Sequence, residues 1–215
     1  MPSNSRRLDS VCVYCASSDA ADPTYIAAAT ALGTILAREG VRLVYGGGGV
    51  GLMGACARAA HQAGGRVLGV IPDFLVSHER PLTTVETRVV SSMHERKMMM
   101  FQEADAFAIL PGAIGTLEEV IELLSWRRLG LHAKPIVFLD LGGFWQPLFD
   151  LFEHILEQRL IPPEFRETWR SVERVEEILP TLRSMPTLAF TTPPGVAEMT
   201  LAGQPDVILK YSAAK

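Results

Sequence analysis

Apolar residues fall into short runs separated by longer stretches of helical period. The runs at 10–15, 41–45, 66–71, 85–90, 105–110 and 135–139 are apolar or β-branched and lack polar alternation, as strands buried on both faces do. Between them, 23–38, 51–63, 93–103, 116–129 and 144–158 carry helical spacing; Leu117, Val120, Ile121 and Leu124 are its clearest case. A further helix is expected over 174–184. Alternation of this kind predicts an α/β fold: a Rossmann-like, doubly wound parallel sheet flanked by helices, with right-handed crossovers. Gly40 and Gly64-Gly65 stand where helices should stop. No repeat or linker marks a second domain. The expected organisation is a flexible N-terminus over 1–9, one domain over 10–185 and an extension over 186–215. That extension contains Pro193-Pro194-Gly195 and a short apolar run at Val207–Leu209, and is read as loosely packed or crossing to a partner subunit.

Composition narrows this. With 215 residues, 48% hydrophobic and 20% charged, the chain can bury one sizeable core. A net charge of −4 gives no electrostatic case for nucleic acid or an anionic membrane as partner, so any phosphate site must be built locally. The polar start, Met1 to Arg7, leads into no apolar signal segment, and no run approaches the roughly 20 residues of a membrane span. A soluble, cytoplasmic protein is expected. Cys12 and Cys15 form a C-x-x-C, but their odd offset on a strand sends them to opposite faces, which reads as core filling. No histidine spacing suits a metal and no G-x-S-x-G elbow is present, so the reading calls for neither metal nor cofactor.

Two glycine loops carry the candidate chemistry. Strand 41–45 runs into Gly46-Gly47-Gly48-Gly49-Val50-Gly51-Leu52-Met53-Gly54 and then a helix. Without Cβ atoms, backbone N–H groups approach an anion closely, and the helix N-terminus adds positive partial charge. Gly46-x-Gly48-x-x-Gly51 matches the dinucleotide fingerprint, with Asp73 as the ribose-binding acid, but in so glycine-rich a run the match is cheap. A tight packing turn and a phosphate or ribose contact both remain open. Strand 105–110 runs into Pro111-Gly112-Ala113-Ile114-Gly115-Thr116-Leu117-Glu118-Glu119, with a helix expected from Thr116. This delivers Gly112, Gly115 and the Thr116 hydroxyl to the carboxyl end of a strand, where ligands bind in open α/β sheets. Thr116-x-x-Glu119 is also a capping-box pattern, so Glu119 reads as a cap or as a catalytic carboxylate.

Between the loops lies Ser91-Ser92-Met93-His94-Glu95-Arg96-Lys97. Ser92-x-x-Glu95 is a capping box, and Glu95 is read as the cap. Arg96 and Lys97 oppose the dipole of a helix's first turns, which suggests a bound anion, Arg96 holding it in a bidentate fork.

Together, Met93-His94-Glu95-Arg96-Lys97 and Pro111 to Glu119 resemble the M-H-E-R-K and P-G-G-x-G-T-x-x-E signatures of the LOG (Lonely Guy) family. Val13 to Ser18, Gly46 to Gly54, Gly69-Val70-Ile71-Pro72 and Trp126-x-x-Leu129-Gly130-x-His132-x-Lys134-Pro135 agree in order and spacing, and the likeness covers roughly residues 10 to 180. The resemblance implies a homodimer or larger homo-oligomer that hydrolyses the N-glycosidic bond of adenine nucleoside 5′-monophosphates, cytokinin ribotides or AMP, to free base and ribose 5-phosphate. Carried over by position, Arg96 and Glu119 are the catalytic pair. Gly47, Gly48, Gly112, Ala113, Ile114, Gly115 and Thr116 would hold phosphate, while Glu79, Met93, Lys97, Glu118 and Ser125 would complete the substrate site. Ala113 stands where the family has the second glycine of P-G-G, and Ala16 where it has the glycine of C-G-S-S. An alanine forced to positive φ at 113 would cost about 1–2 kcal/mol. The competing readings are a non-catalytic nucleotide-binding module and a dinucleotide-dependent oxidoreductase. The family has also carried a lysine decarboxylase label, but no lysine here sits in a recognisable pyridoxal phosphate context.

Overall fold

A computed structural model describes residues 6–186. In chain order the regular elements are β1 (Ser10–Tyr14), α1 (Pro23–Arg38), β2 (Arg42–Tyr45), α2 (Gly51–Gln62), β3 (Val67–Pro72), α3 (Val76–Glu79), β4 (Glu86–Val90), α4 (Met93–Gln102), β5 (Ala106–Ile109), α5 (Ile114–Arg128), β6 (Ile136–Leu139), α6 (Gln146–Glu157), β7 (Arg170–Val172) and α7 (Ile178–Ser184). The strands form one parallel sheet in the order β4-β3-β2-β1-β5-β6-β7. The chain steps outward from β1 to β4, then returns to the other side of β1 to lay down β5. Loops leaving β1 and β5 therefore diverge, and a crevice opens between them at the strands' carboxyl ends.

Strand parity sorts the core into two layers. Val11, Val13, Leu43 and Tyr45 pack beneath α1, α2 and α7, whereas Cys12, Tyr14, Val44, Phe107 and Phe138 pack beneath α4, α5 and α6. Cys12 and Cys15 fall in opposite layers, both buried and unbridged. No helix among the described residues is long and apolar enough to cross a membrane.

Several elements differ from the sequence expectation. The three residues of β7 are too short to show a period, and α3 is a single turn inserted between β3 and β4. The last helix begins at Ile178 behind a 3-10 turn at Val175–Glu177, rather than at 174. Within the expected flexible stretch, the residues from Arg6 onward are tied to the body of the fold. Leu8 is buried, the Arg6 N–H donates to the Arg183 carbonyl, and the Asp9 N–H donates to Asp105 Oδ2 at 2.9 Å. Of the expected extension, Pro193-Pro194-Gly195 and Val207–Leu209 lie outside the described residues.

The alanine-rich helices α1 and α2 cross closely because Gly33 has no side chain. A Cβ there would stand 2.1 Å from the Cys56 carbonyl oxygen. Gly33→Ala gains about 1 kcal/mol of helix propensity, but overpacking at a backbone contact costs about 1–3 kcal/mol. We expect a lower urea midpoint; an unchanged one would mean that the helices separate without cost.

Candidate active site

The two glycine loops present their helices in different states. At α2 the first amides are already satisfied. Gly51 N–H donates to Asp19 Oδ1 at 2.9 Å, and the Leu52 and Met53 N–H groups donate to the Ala16 carbonyl at 3.1 and 3.3 Å. Gly49 N–H donates to the Glu79 carbonyl at 2.7 Å. At α5 the N-cap is Ala113, which offers no side-chain acceptor, so the first amides of that helix stay open to the cleft. An open helix N-terminus receives an anion through its N–H groups and its dipole. Ala113 has φ −96°, ordinary extended backbone, so the alanine carries no strain; Ala16 likewise has no positive φ. Gly112 is required for a different reason, because a Cβ there would meet the Thr116 hydroxyl at 2.2 Å.

The start of α5 at Ile114 also removes the capping role read for Glu119. Thr116 sits within the first turn instead of at the cap, so the capping box does not form and Glu119 caps nothing. Its carboxylate points into the cleft, 10% exposed, with Oε1 3.9 Å from Arg96 Nη1. That distance allows attraction but not a hydrogen bond. Loss of solvent outweighs the neighbouring guanidinium, and burial lifts the Glu119 pKa to about 7.

Arg96 is buried, and two of its three guanidinium nitrogens are held by backbone carbonyls. Nε donates to the Val70 carbonyl at 3.2 Å and Nη2 to the Gly46 carbonyl at 2.9 Å. Only Nη1 faces Glu119, with Met93 Sδ 3.9 Å away. The bidentate phosphate fork expected from sequence is therefore not available: two sides of the guanidinium are occupied by backbone. The anion expected to offset Lys97 is supplied by the chain itself. Lys97 Nζ lies 2.6 Å from Glu118 Oε1 and 2.9 Å from Glu122 Oε2, both on α5. The Ser92 cap does form: its Oγ accepts from the Glu95 N–H at 3.1 Å, and Glu95 Oε2 accepts from the Ser91 N–H at 2.8 Å.

The cleft encloses about 120 Å³. Sites that enclose a whole drug-sized ligand run to roughly 300–1,000 Å³, so this cleft encloses part of such a ligand and leaves the rest outside it. Of the residues expected at the site, Glu79, Arg96, Ala113, Gly115, Thr116 and Glu119 line it. The Glu79 Oε2 atom is buried without a hydrogen-bond partner. Gly47, Gly48, Gly112, Met93, Ile114, Lys97, Glu118 and Ser125 do not line it. Gly48 lies behind the Glu79 carboxylate, where a Cβ would stand 2.5 Å from Oε2. Gly112 lies under Thr116, Ile114 is 80% exposed, and Ser125 sits far along α5. Asp73 is exposed and accepts from the Phe74 N–H at 2.6 Å, away from the cleft. Sequence reasoning missed the Gly46 carbonyl as the partner of Arg96, the Met53 and Met100 walls, and Asp19 as the acceptor closing α2. No local pattern announces these, since each depends on a contact between distant segments.

Among the described residues, no group of three histidine, cysteine or acidic side chains could hold a metal. Pyridoxal phosphate needs a lysine in reach, and the described lysines do not fit it. Lys97 is held by two carboxylates, and Lys134 Nζ lies over the Phe101 ring, 4.1 Å from its centroid, and donates to the Phe101 carbonyl.

Fold and cleft define an α/β protein with an uncapped helix terminus and a buried carboxylate at the switch point of a doubly wound sheet. The chain belongs to the LOG family: the family described as "possible lysine decarboxylase" matches residues 53–182. Similar relatives are the cytokinin riboside 5′-monophosphate phosphoribohydrolase LOG7 of Arabidopsis thaliana, 39% identical over 83% of each chain, and LOG of Oryza sativa subsp. japonica, 41% identical over 80% of this chain and 72% of that protein. Among solved structures, the molybdenum cofactor carrier protein of Chlamydomonas reinhardtii shares the fold, with TM-score 0.64, 20% identity and coverage of 83% and 98%. The molybdenum cofactor binding protein of Rippkaea orientalis does so with TM-score 0.62, 24% identity and coverage of 84% and 98%.

The raised pKa of Glu119 has a stability consequence. The folded-state value, about 7, lies above the ordinary 4.5. Its contribution is therefore full below about pH 4.5 and is lost as pH rises through 7. Glu119→Gln removes this loss. The stability of the variant relative to wild type should increase by on the order of 2–3 kcal/mol between pH 4.5 and 7.5, read from denaturant midpoints. A difference that does not change with pH would mean that Glu119 ionises normally.

Proposed function

We propose that this protein hydrolyses the N-glycosidic bond of adenine nucleoside 5′-monophosphates, cytokinin ribotides or AMP, releasing the free base and ribose 5-phosphate. The observation that carries this reading is a buried carboxylate of raised pKa, Glu119, one turn from the open N-terminus of α5. The phosphate sits on the open amides around Gly115 and Thr116. That remote contact supplies the binding energy that orients the sugar. Glycosidic cleavage develops positive charge on the ribose, which a neighbouring carboxylate stabilises. Glu119 takes the proton of the attacking water, as its pKa near neutrality suits, while the electron pair of the broken C–N bond leaves with the base, which takes up a proton from solvent. Arg96, fixed by two carbonyls, turns Nη1 toward Glu119 and favours its ionised form. Glu79 Oε2, buried without a partner, accepts from a ribose hydroxyl. The relatives named as phosphoribohydrolases support the substrate class.

The reading also takes the protein as a cytoplasmic homodimer or larger homo-oligomer. Apolar side chains left exposed beside the cleft, Met93 and Ile114, support the assembly. A purely nucleotide-binding module loses its main argument once Glu119 is not a cap. A dinucleotide oxidoreductase would need first-loop amides that Asp19 and the Glu79 carbonyl already occupy.

Purified protein incubated separately with AMP and isopentenyladenosine monophosphate should release free base, followed by chromatography. Glu119→Ala should lower turnover by about two orders of magnitude or more with the fold intact; wild-type rates in that variant would sink the proposal. Because the base must be ionised, kcat/KM should rise with pH through about 7 and level off above it. A fall above pH 7 would instead make Glu119 an acid.

A further inference from the structure

The segment between β3 and β4 brings Glu79 to the cleft through an unusual turn. The one-turn helix α3 ends at Arg80, which has φ 46° and ψ 64°, in the left-handed region that a branched or long side chain seldom adopts. This turn presses the segment onto the first glycine loop. The Glu79 carbonyl accepts the Gly49 N–H at 2.7 Å, and the Arg80 carbonyl lies where a Gly49 Cβ would be, 2.0 Å from that position. The same turn aims the Glu79 carboxylate over Gly48 into the cleft. On the outside, Arg80 Nη2 meets Asp19 Oδ2 at 2.9 Å, while Asp19 Oδ1 holds the first amide of α2. Both side chains of that ion pair are about two-thirds exposed, so the pair alone contributes little. The backbone turn is the larger constraint, and strained backbone of this kind persists where the surroundings over-determine it.

We infer that Arg80 is a positioning residue: its left-handed backbone sets the Glu79 carboxylate in the cleft, and its guanidinium, through Asp19, secures that turn to the start of α2. Arg80 does not line the cleft and acts only through Glu79. For its kinetic readout the inference rests on the hydrolase reading.

Four variants test it: Glu79→Gln, Arg80→Val, their combination, and Arg80→Gly. Valine resists the left-handed turn, while glycine adopts it freely. In kcat/KM for AMP, Arg80→Val should match the loss of Glu79→Gln, about tenfold or more, and the combination should lose no more than either alone. Arg80→Gly, which keeps the turn, should recover activity to within about threefold of wild type. Losses that multiply in the combined variant, or Arg80→Val at wild-type kcat/KM, would overturn the inference. A second readout needs no substrate: the Gly49 amide should exchange with solvent faster in Arg80→Val than in wild type or Arg80→Gly, and equal exchange would overturn the inference. Should wild type release no base from AMP or isopentenyladenosine monophosphate, the hydrolase reading fails, and amide exchange still decides the role of Arg80.

Discussion

The site depends on one buried cation. A guanidinium removed from water loses its hydration, and hydrogen bonds to its donors offset part of that cost. Arg96 makes such bonds to the carbonyls of Val70 and Gly46. The solution constrains its neighbours. A side chain at Gly46 would displace the guanidinium, since a Cβ there would lie 2.1 Å from Nη2. The end of β2, the strand β3 and the helix α4 are thereby joined at one point. What remains of the charge faces Glu119 at 3.9 Å, near enough to temper its pKa but too far to fix it as a permanent ion pair.

The fold was largely legible because its strands and helices are long enough to show their periods. The buried strands β1, β2, β3, β5 and β6 stand close to the expected runs, and the two-layer core follows from parity alone. Elements of one turn or three residues, α3 and β7, carry too few positions for a pattern. The site was legible as a set of segments but not as a geometry. Thr116-x-x-Glu119 imitates a capping box, and only the helix start at Ile114 shows that it is not one. Both glycine loops look alike as text. They differ because Asp19, Ala16 and Glu79, each far away in sequence, satisfy the amides of the first and leave the second open. Lys97 is neutralised by Glu118 and Glu122 across a helix–helix contact that no local spacing announces.

This division of labour between the loops gives the site its polarity. The first loop is a closed scaffold: it lends a carbonyl to Arg96, a flat surface to Glu79 and an anchor to the segment before β4. The second keeps its helix terminus unsatisfied. Negative side chains lie at the scaffold end and within the cleft, and the positive end of a helix dipole lies opposite.

The placement of the aromatic residues gives the molecule an uneven optical signature. All three tryptophans, Trp126, Trp145 and Trp169, belong to the layer beneath α4, α5 and α6. Trp169 stacks on Phe149 at 4.3 Å between ring centroids, and Trp126 meets the Phe101 ring edge-on at 5.3 Å. The opposite layer, under α1, α2 and α7, contains no tryptophan. Tryptophan emission, excited selectively over tyrosine, therefore reports the packing of one side of the sheet, whereas far-ultraviolet dichroism sums both. Comparing the two signals during unfolding turns an accident of composition into a test of whether the two layers come apart together.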